Sequence, residues 1–146
     1  MRLAIGSDHA GFRLKEHLRE WLERAGHEVV DHGAFSEESV DYPDQARLVC
    51  RSLLAGDAEA GVLICNTGLG MSMSANRFVG IRAALCSCPL LAEYARRHND
   101  ANVLVLAGGY VAPYLAERIC ETFLSAAFDA GRHQRRVRKI EEGPSS

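Results

Sequence analysis

The sequence predicts an α/β fold: a three-layer α/β/α sandwich built on a five-stranded parallel sheet. Three observations carry this. Short runs at Arg2–Gly6, Glu28–Asp31, Gly61–Ile64, Gly80–Leu85 and Asn102–Ala107 are separated by longer stretches whose apolar residues recur at spacings of three and four, the signature of strand alternating with amphipathic helix. The runs are mostly apolar rather than apolar at every second position, as strands covered on both faces require. At 146 residues, with 47% hydrophobic and 25% charged side chains, the chain has the size and composition of one globular domain. The expected limits are a single domain over 1–142 and a flexible tail over 143–146.

The elements follow in order. After the first strand, Ser7–Gly11 forms a loop and Phe12 to about Ala25 a helix, with Leu14, Leu18, Trp21, Leu22 and Ala25 on one stripe and Gly26 as C-cap. Glu28–Asp31 is the second strand and His32–Asp44 a polar loop, in which Asp44 can cap the next helix, expected from about Asp44 to Ala55 with Ala46, Val49 and Leu53 inward. The third strand runs into the glycine-rich turn Cys65–Gly70, and the helix after it should end near Asn76–Phe78. Beyond the fourth strand, Pro89–Arg97 reads as a short helix and His98–Asp100 as a loop. Pro113 opens a helix to Ala127, with Leu115, Ile119, Phe123 and Ala126 inward, and Gly131–Glu142 forms a last, basic helix. The alternation is Rossmann-like, and ligands in such folds bind beyond the carboxyl ends of the strands.

Composition narrows the function. A net charge of −2 gives no general attraction to nucleic acid or membrane, and no apolar run approaches the roughly 20 residues of a membrane span. The N-terminus enters a strand pattern without a signal-peptide layout, so a cytoplasmic location is expected. The five cysteines, at 50, 65, 86, 88 and 120, contain no CxxC pair, so neither a disulfide framework nor a structural metal site is expected.

The chain is organised around Gly61–Ser72, a strand that delivers Cys65, Asn66 and Thr67 into Gly68-Leu-Gly70 and then a helix start. Such a turn points backbone N–H groups at a concavity suited to anions, with a thiol at its rim. Asp8 and His9 follow the first strand, Tyr42 the second and Cys65 and Thr67 the third, while His98 precedes the fifth; all are expected at the ligand-binding edge. On the residues alone several roles stay open. Cys65 reads as a packed apolar residue or as a base, Asp8 as a helix cap or as the partner of His9, and His98 as a solvated loop residue or a functional one. Arg132 and Arg136 share a helix face and suit one phosphate group better than a nucleic-acid patch, since no aromatics interleave. The dinucleotide and P-loop fingerprints are incomplete, with Met73 and Phe12 at the diagnostic positions.

Together, Gly6-Ser-Asp-His-Ala-Gly11, Asp41-Tyr-Pro-Asp44, Cys65–Asn76, Gly80–Cys86, Arg97–Asn102 and Gly131–Val137 resemble the type B ribose-5-phosphate isomerases and their galactose and allose phosphate relatives. The matches run from the first strand to the last helix. The resemblance implies interconversion of an aldose and a ketose phosphate without metal or organic cofactor. It implies that His98, with Asp8 nearby, opens the sugar ring and that Cys65 moves the proton from C2 to C1. Thr67 would bind a substrate oxygen or assist the relay, and the amides of Asn66, Gly68, Gly70, Met71 and Ser72 would stabilise the enediolate. His9, Arg132 and Arg136 would hold the phosphate, Tyr42 would pack on the sugar, and Asn99 would hydrogen-bond it. The family's site lies between subunits, which implies a homodimer or a dimer of dimers, with His98 and Asn99 supplied by the neighbour. Two positions depart from the pattern: Asn66 stands where glycine is usual, narrowing the turn or adding a polar contact to the sugar, and Tyr110 stands where many members have an arginine. Relatives acting on four- or six-carbon sugar phosphates share this skeleton. A non-catalytic phosphate- or nucleotide-binding module is the competing class. A receiver-like domain is opposed by Cys65, where that fold needs an aspartate.

Overall fold

Five parallel strands, β1 (Arg2–Ser7), β2 (Glu28–Asp31), β3 (Ala60–Cys65), β4 (Ala83–Leu85) and β5 (Val103–Ala107), lie side by side in the order β2-β1-β3-β5-β4. A computed structural model describes residues 1–143; the expected tail lies, beyond Gly143, outside the described residues. The register pairs Leu3 with Ala60 and Cys65 with Ala107, so the carboxyl ends of β1, β3 and β5 come level at one edge.

Strand side chains alternate between faces, and both faces are apolar. Leu3, Ile5, Val62, Ile64, Leu104 and Leu106 meet Leu14, Leu18 and Leu22 of α1 (Phe12–Arg24), Ala92 of α4 (Pro89–Asn99), and Ile119 and Phe123 of α5 (Pro113–Ser125). On the other face, Ala4, Leu63, Cys65, Val103 and Val105 meet Ala46, Val49 and Cys50 of α2 (Tyr42–Leu54) and Met71 and Ala75 of α3 (Leu69–Ala75). The result is the three-layer sandwich expected, with α6 (Arg132–Glu142) against α4.

Two glycines permit the layers to close. A Cβ on Gly11 would sit 2.5 Å from the Ile64 carbonyl oxygen, so only glycine lets the start of α1 rest directly on β3. Gly26, at φ +92°, ends α1: its N–H bonds the Glu23 carbonyl while His27 N–H bonds that of Leu22, a Schellman closure.

Several boundaries differ from the pattern-based expectation. The second helix starts at Tyr42 rather than Asp44, because Pro43, which has no N–H, fits a first turn whose N–H groups find no intrahelical acceptor. Asp41 precedes that helix, and Asp44 lies inside its first turn instead of capping it. β4 is half the expected length. Gly80–Arg82 bonds instead to the Asn102 side chain, which takes the Arg82 N–H at 2.8 Å and donates to the Gly80 carbonyl at 2.8 Å. The outer edge of β4 is closed by the Asn76 amide, bonded to both N–H and C=O of Ala83. The fourth helix continues through His98 and Asn99, which are helical rather than a loop. Glu93–Arg97 and Arg96–Asp100 pairs brace its last turn, and Asp100 ends it at φ +47°.

Lys15 is fully buried, a placement that the stripe of α1 gave no sign of. Its Nζ lies 2.5 Å from Asp31 and 2.8 Å from Glu16, between the rings of Phe12 and Phe35.

Candidate active site

The strand order reverses direction between β1 and β3, so their carboxyl ends open a crevice. Cys65 is the last residue of β3, and its sulfur accepts the Gly68 N–H at 3.1 Å. The turn achieves this because Gly68 adopts φ +77°; a Cβ there would also strike Leu85 at 2.4 Å. Thr67 Oγ1 accepts the Leu69 N–H at 3.3 Å, leaving its hydroxyl proton to donate. The Ser72 N–H closes the first turn of α3 on the Gly68 carbonyl at 3.0 Å. The anion cradle expected from Asn66 to Ser72 is therefore reduced, since the amides of Gly68 and Ser72 are already engaged within the turn. Met71 is fully buried in the α2/α3 core, so only its backbone faces the turn.

Asp8, after β1, is 6% exposed and accepts the Gly11 N–H at 3.0 Å, so one carboxylate oxygen is committed to the start of α1. His9 is half-buried, and its Nδ1 accepts the Val40 N–H at 3.2 Å. In the neutral ring the proton then sits on Nε2, which becomes a donor for an anionic oxygen. Tyr42 opens α2 and lies over the turn: a Cβ on Gly70 would come within 2.5 Å of its ring. Asn66 leans toward the end of β5, where a Cβ on Gly109 would lie 2.1 Å from its Oδ1. Tyr110 is exposed.

His98, Asn99, Arg132 and Arg136 lie elsewhere. Leaving the carboxyl end of β4, α4 runs back to the amino edge, where the Asn102 carbonyl accepts the Gly61 N–H at the start of β3. The rise of β3 then separates His98 from Cys65 by roughly 15 Å. Within one chain the two cannot act on one small molecule, and the expectation that His98 joins the carboxyl-edge groups is corrected.

At the amino edge His98 sits in a stack. Its ring centroid is 4.7 Å from that of Tyr94 at 30° and 4.2 Å from that of His133 at 8°. Asp129 lies 3.9 Å from His98 Nε2 and is gripped by Arg97, which holds its carboxyl below the usual range. Burial pushes the His133 imidazole down, aided by His98, Arg132 and Arg136. The ligand atoms of His98, Asp129 and His133 fall within 4.8 Å of one another. The near-parallel imidazole planes nonetheless keep the two in-plane lone pairs from converging on one ion. Arg132 and Arg136 are exposed and one helical turn apart, and Asn99 lines a small cleft with Asn76, Arg82 and Ile140.

Sequence reasoning assigned no role to Tyr94, Asp129 or His133. The i,i+4 spacing of Tyr94 and His98, and that of His133 and buried Val137, were the available signals.

The fold is a parallel α/β sandwich whose switch point carries a hydrogen-bonded thiol after β3 and an oriented imidazole after β1. The family model of the ribose/galactose isomerases matches residues 3–140. The chain is 44% identical over 139 residues to ribose-5-phosphate isomerase B of Escherichia coli (strain K12), covering 95% of this chain and 93% of that one. The crystal structure of a ribose 5-phosphate isomerase from Thermotoga maritima superposes with a TM-score of 0.96 at 57% identity, over 97% of each chain. The type B ribose 5-phosphate isomerase of Trypanosoma brucei gives 0.94 at 42% identity, over 98% of each. The chain belongs to the ribose/galactose isomerase family. Among the described residues no helix is long and apolar enough to cross a membrane.

Proposed function

We propose that this chain is an aldose–ketose isomerase that interconverts ribose 5-phosphate and ribulose 5-phosphate through a cis-enediolate, with Cys65 as the base. The observation that carries the reading is the Cys65 sulfur held at 3.1 Å from an amide at the end of β3. The thiolate takes the C2 proton and returns it to C1. The free Thr67 hydroxyl donates to a substrate oxygen, and amides left unused in the turn, among them Gly70 and Met71, face the enediolate. His9 Nε2 binds a phosphate oxygen, Tyr42 packs on the sugar and Asp8 holds the loop that carries His9.

His98 opens the furanose ring, Asn99 hydrogen-bonds the sugar, and Arg132 and Arg136 bind phosphate, all from a second subunit. Support comes from the separation of these residues from Cys65 within one chain, since a homodimer, or a dimer of dimers, can bring opposite sheet edges of two copies together. The domain over 1–142 works as one catalytic unit in each copy.

The test is isomerisation of ribose 5-phosphate in deuterated water. Wild type should form ribulose 5-phosphate with solvent exchange at the transferred hydrogen, and Cys65→Ala should lose on the order of 10²–10⁴ in kcat, the usual worth of a positioned base. Binding without exchange would instead identify a phosphate-binding module. Asn66 and Tyr110, the two departures from the pattern the resemblance implies, favour a second reading: preference for a four- or six-carbon sugar phosphate on the same site. A panel of aldose phosphates assayed side by side decides between them.

A further inference from the structure

We propose that His133 and Tyr94 are positioning residues for the His98 imidazole, clamping it face to face so that it meets the ring oxygen of the cyclic sugar in one orientation. The inference rests on the ring-opening role of His98 proposed above.

An imidazole on the last turn of a helix is free to turn about two side-chain bonds, and general acid–base catalysis needs it within hydrogen-bond reach of one oxygen. Three elements restrain it here. Tyr94, one turn earlier on α4, covers one face at 4.7 Å. His133 of α6 covers it in a near-parallel stack at 4.2 Å and 8°. Stacked aromatic rings at this separation are favoured over isolated ones. Asp129, itself fixed by two bonds from Arg97 at 3.2 Å and by its own N–H to the Arg97 carbonyl at 3.0 Å, stands at the ring edge. His133 is only 9% exposed although it lies among the exposed residues Arg132, Gln134, Arg135 and Arg136. It is therefore the residue of that cluster turned inward onto His98. Arg132 and Arg136 point outward from the same turn, so α6 carries both the clamp and the proposed phosphate-binding arginines.

The chemistry separates this role from a general structural one. Ribose 5-phosphate is a furanose and must be opened before its C2 proton can be taken. Ribulose 5-phosphate cannot close a comparable ring, because its O5 carries the phosphate and its C4 hydroxyl would form only a four-membered ring on C2. Proton exchange at C1 of ribulose 5-phosphate therefore reports Cys65 without ring opening. Turnover of ribose 5-phosphate needs both steps.

The experiment measures, for each variant, the ratio of ribose 5-phosphate turnover to deuterium uptake at C1 of ribulose 5-phosphate. His133→Ala should lower the ratio by about tenfold, a fraction of what a positioned acid–base group contributes. Tyr94→Ala, at a residue already part exposed, should lower it in the same sense. His133→Phe, which keeps a flat ring, should restore the ratio. An unchanged ratio in both alanine variants, or an equal fall in both rates with KM raised for both substrates, would overturn the proposal, the latter by assigning the effect to displacement of Arg132 and Arg136. His98→Asn is the control on the underlying reading. If it leaves the ratio unchanged, the ring-opening role fails; if it alone lowers the ratio, only the clamp fails.

Discussion

Five sulfurs of the same intrinsic chemistry meet different surroundings in this chain. Burial pushes the thiols of Cys50, Cys86 and Cys120 up, to about 11, about 12 and about 12. Cys65 is equally enclosed, at 4% exposure, but has a backbone N–H directed at its sulfur. Cys88 is half-exposed. Because only the thiolate reacts with alkylating agents, iodoacetamide at pH 8 should leave Cys50, Cys86 and Cys120 unmodified while Cys88 reacts, and loss of activity should follow the label at Cys65. Peptide mass spectrometry reads this directly; early label on Cys86 would contradict it. That Cys65 is the distinctive cysteine was legible in the glycine-rich turn after it. That Asn66 turns toward Gly109 was not, because the approach of β5 is a contact between residues far apart in the chain.

At the scale of elements, α1 shows where periodicity informs and where it stops. Leu14, Leu18 and Leu22 form the stripe that packs on the sheet. Lys15 extends that buried face although a lysine in a helix ordinarily reads as solvent-facing. What holds it inside is Asp31 at the end of β2, and Asp31 in turn accepts the Gly33 N–H at 2.8 Å, tying the following loop to the same anchor. Breaking a buried ion pair from one side strands the other charge, so Lys15→Ala should cost about 3 kcal/mol in urea unfolding. Lys15→Met, which keeps the packing of the stem, should cost less. The extension of α4 through His98 and Asn99 escaped the periodicity for a related reason. Its last turn is secured by ion pairs and by the left-handed Asp100, not by apolar residues.

For the molecule as a whole, the two groups of proposed site residues occupy opposite edges of one sheet. Within a two-fold dimer each site would draw Cys65 from one copy and His98 from the other. Cys65→Ala and His98→Asn homodimers should therefore both be inactive. Mixing them under conditions that exchange subunits should restore activity, because the hybrid gathers both lesions in one site and leaves the other intact. Additive, unrestored rates after verified exchange would place both residues in one chain's site. The same arrangement accounts for why the chain order misleads: a residue just before a strand lies at its amino end, whatever its chemistry.

Local pattern alone decided the sandwich, the alternation of strand and helix and the turn at Gly68, because hydrophobic period, glycine and cap preferences act between residues a few positions apart. Only the tertiary structure decided which turn amides are spent internally, which way His9 presents its ring, that His98 stands at the far edge from Cys65, and that His133 faces inward onto it. Each of these depends on the direction of a single N–H, ring or helix end relative to a partner brought in from distant sequence. Periodicity records which face of an element is apolar, and carries no information on what that face meets.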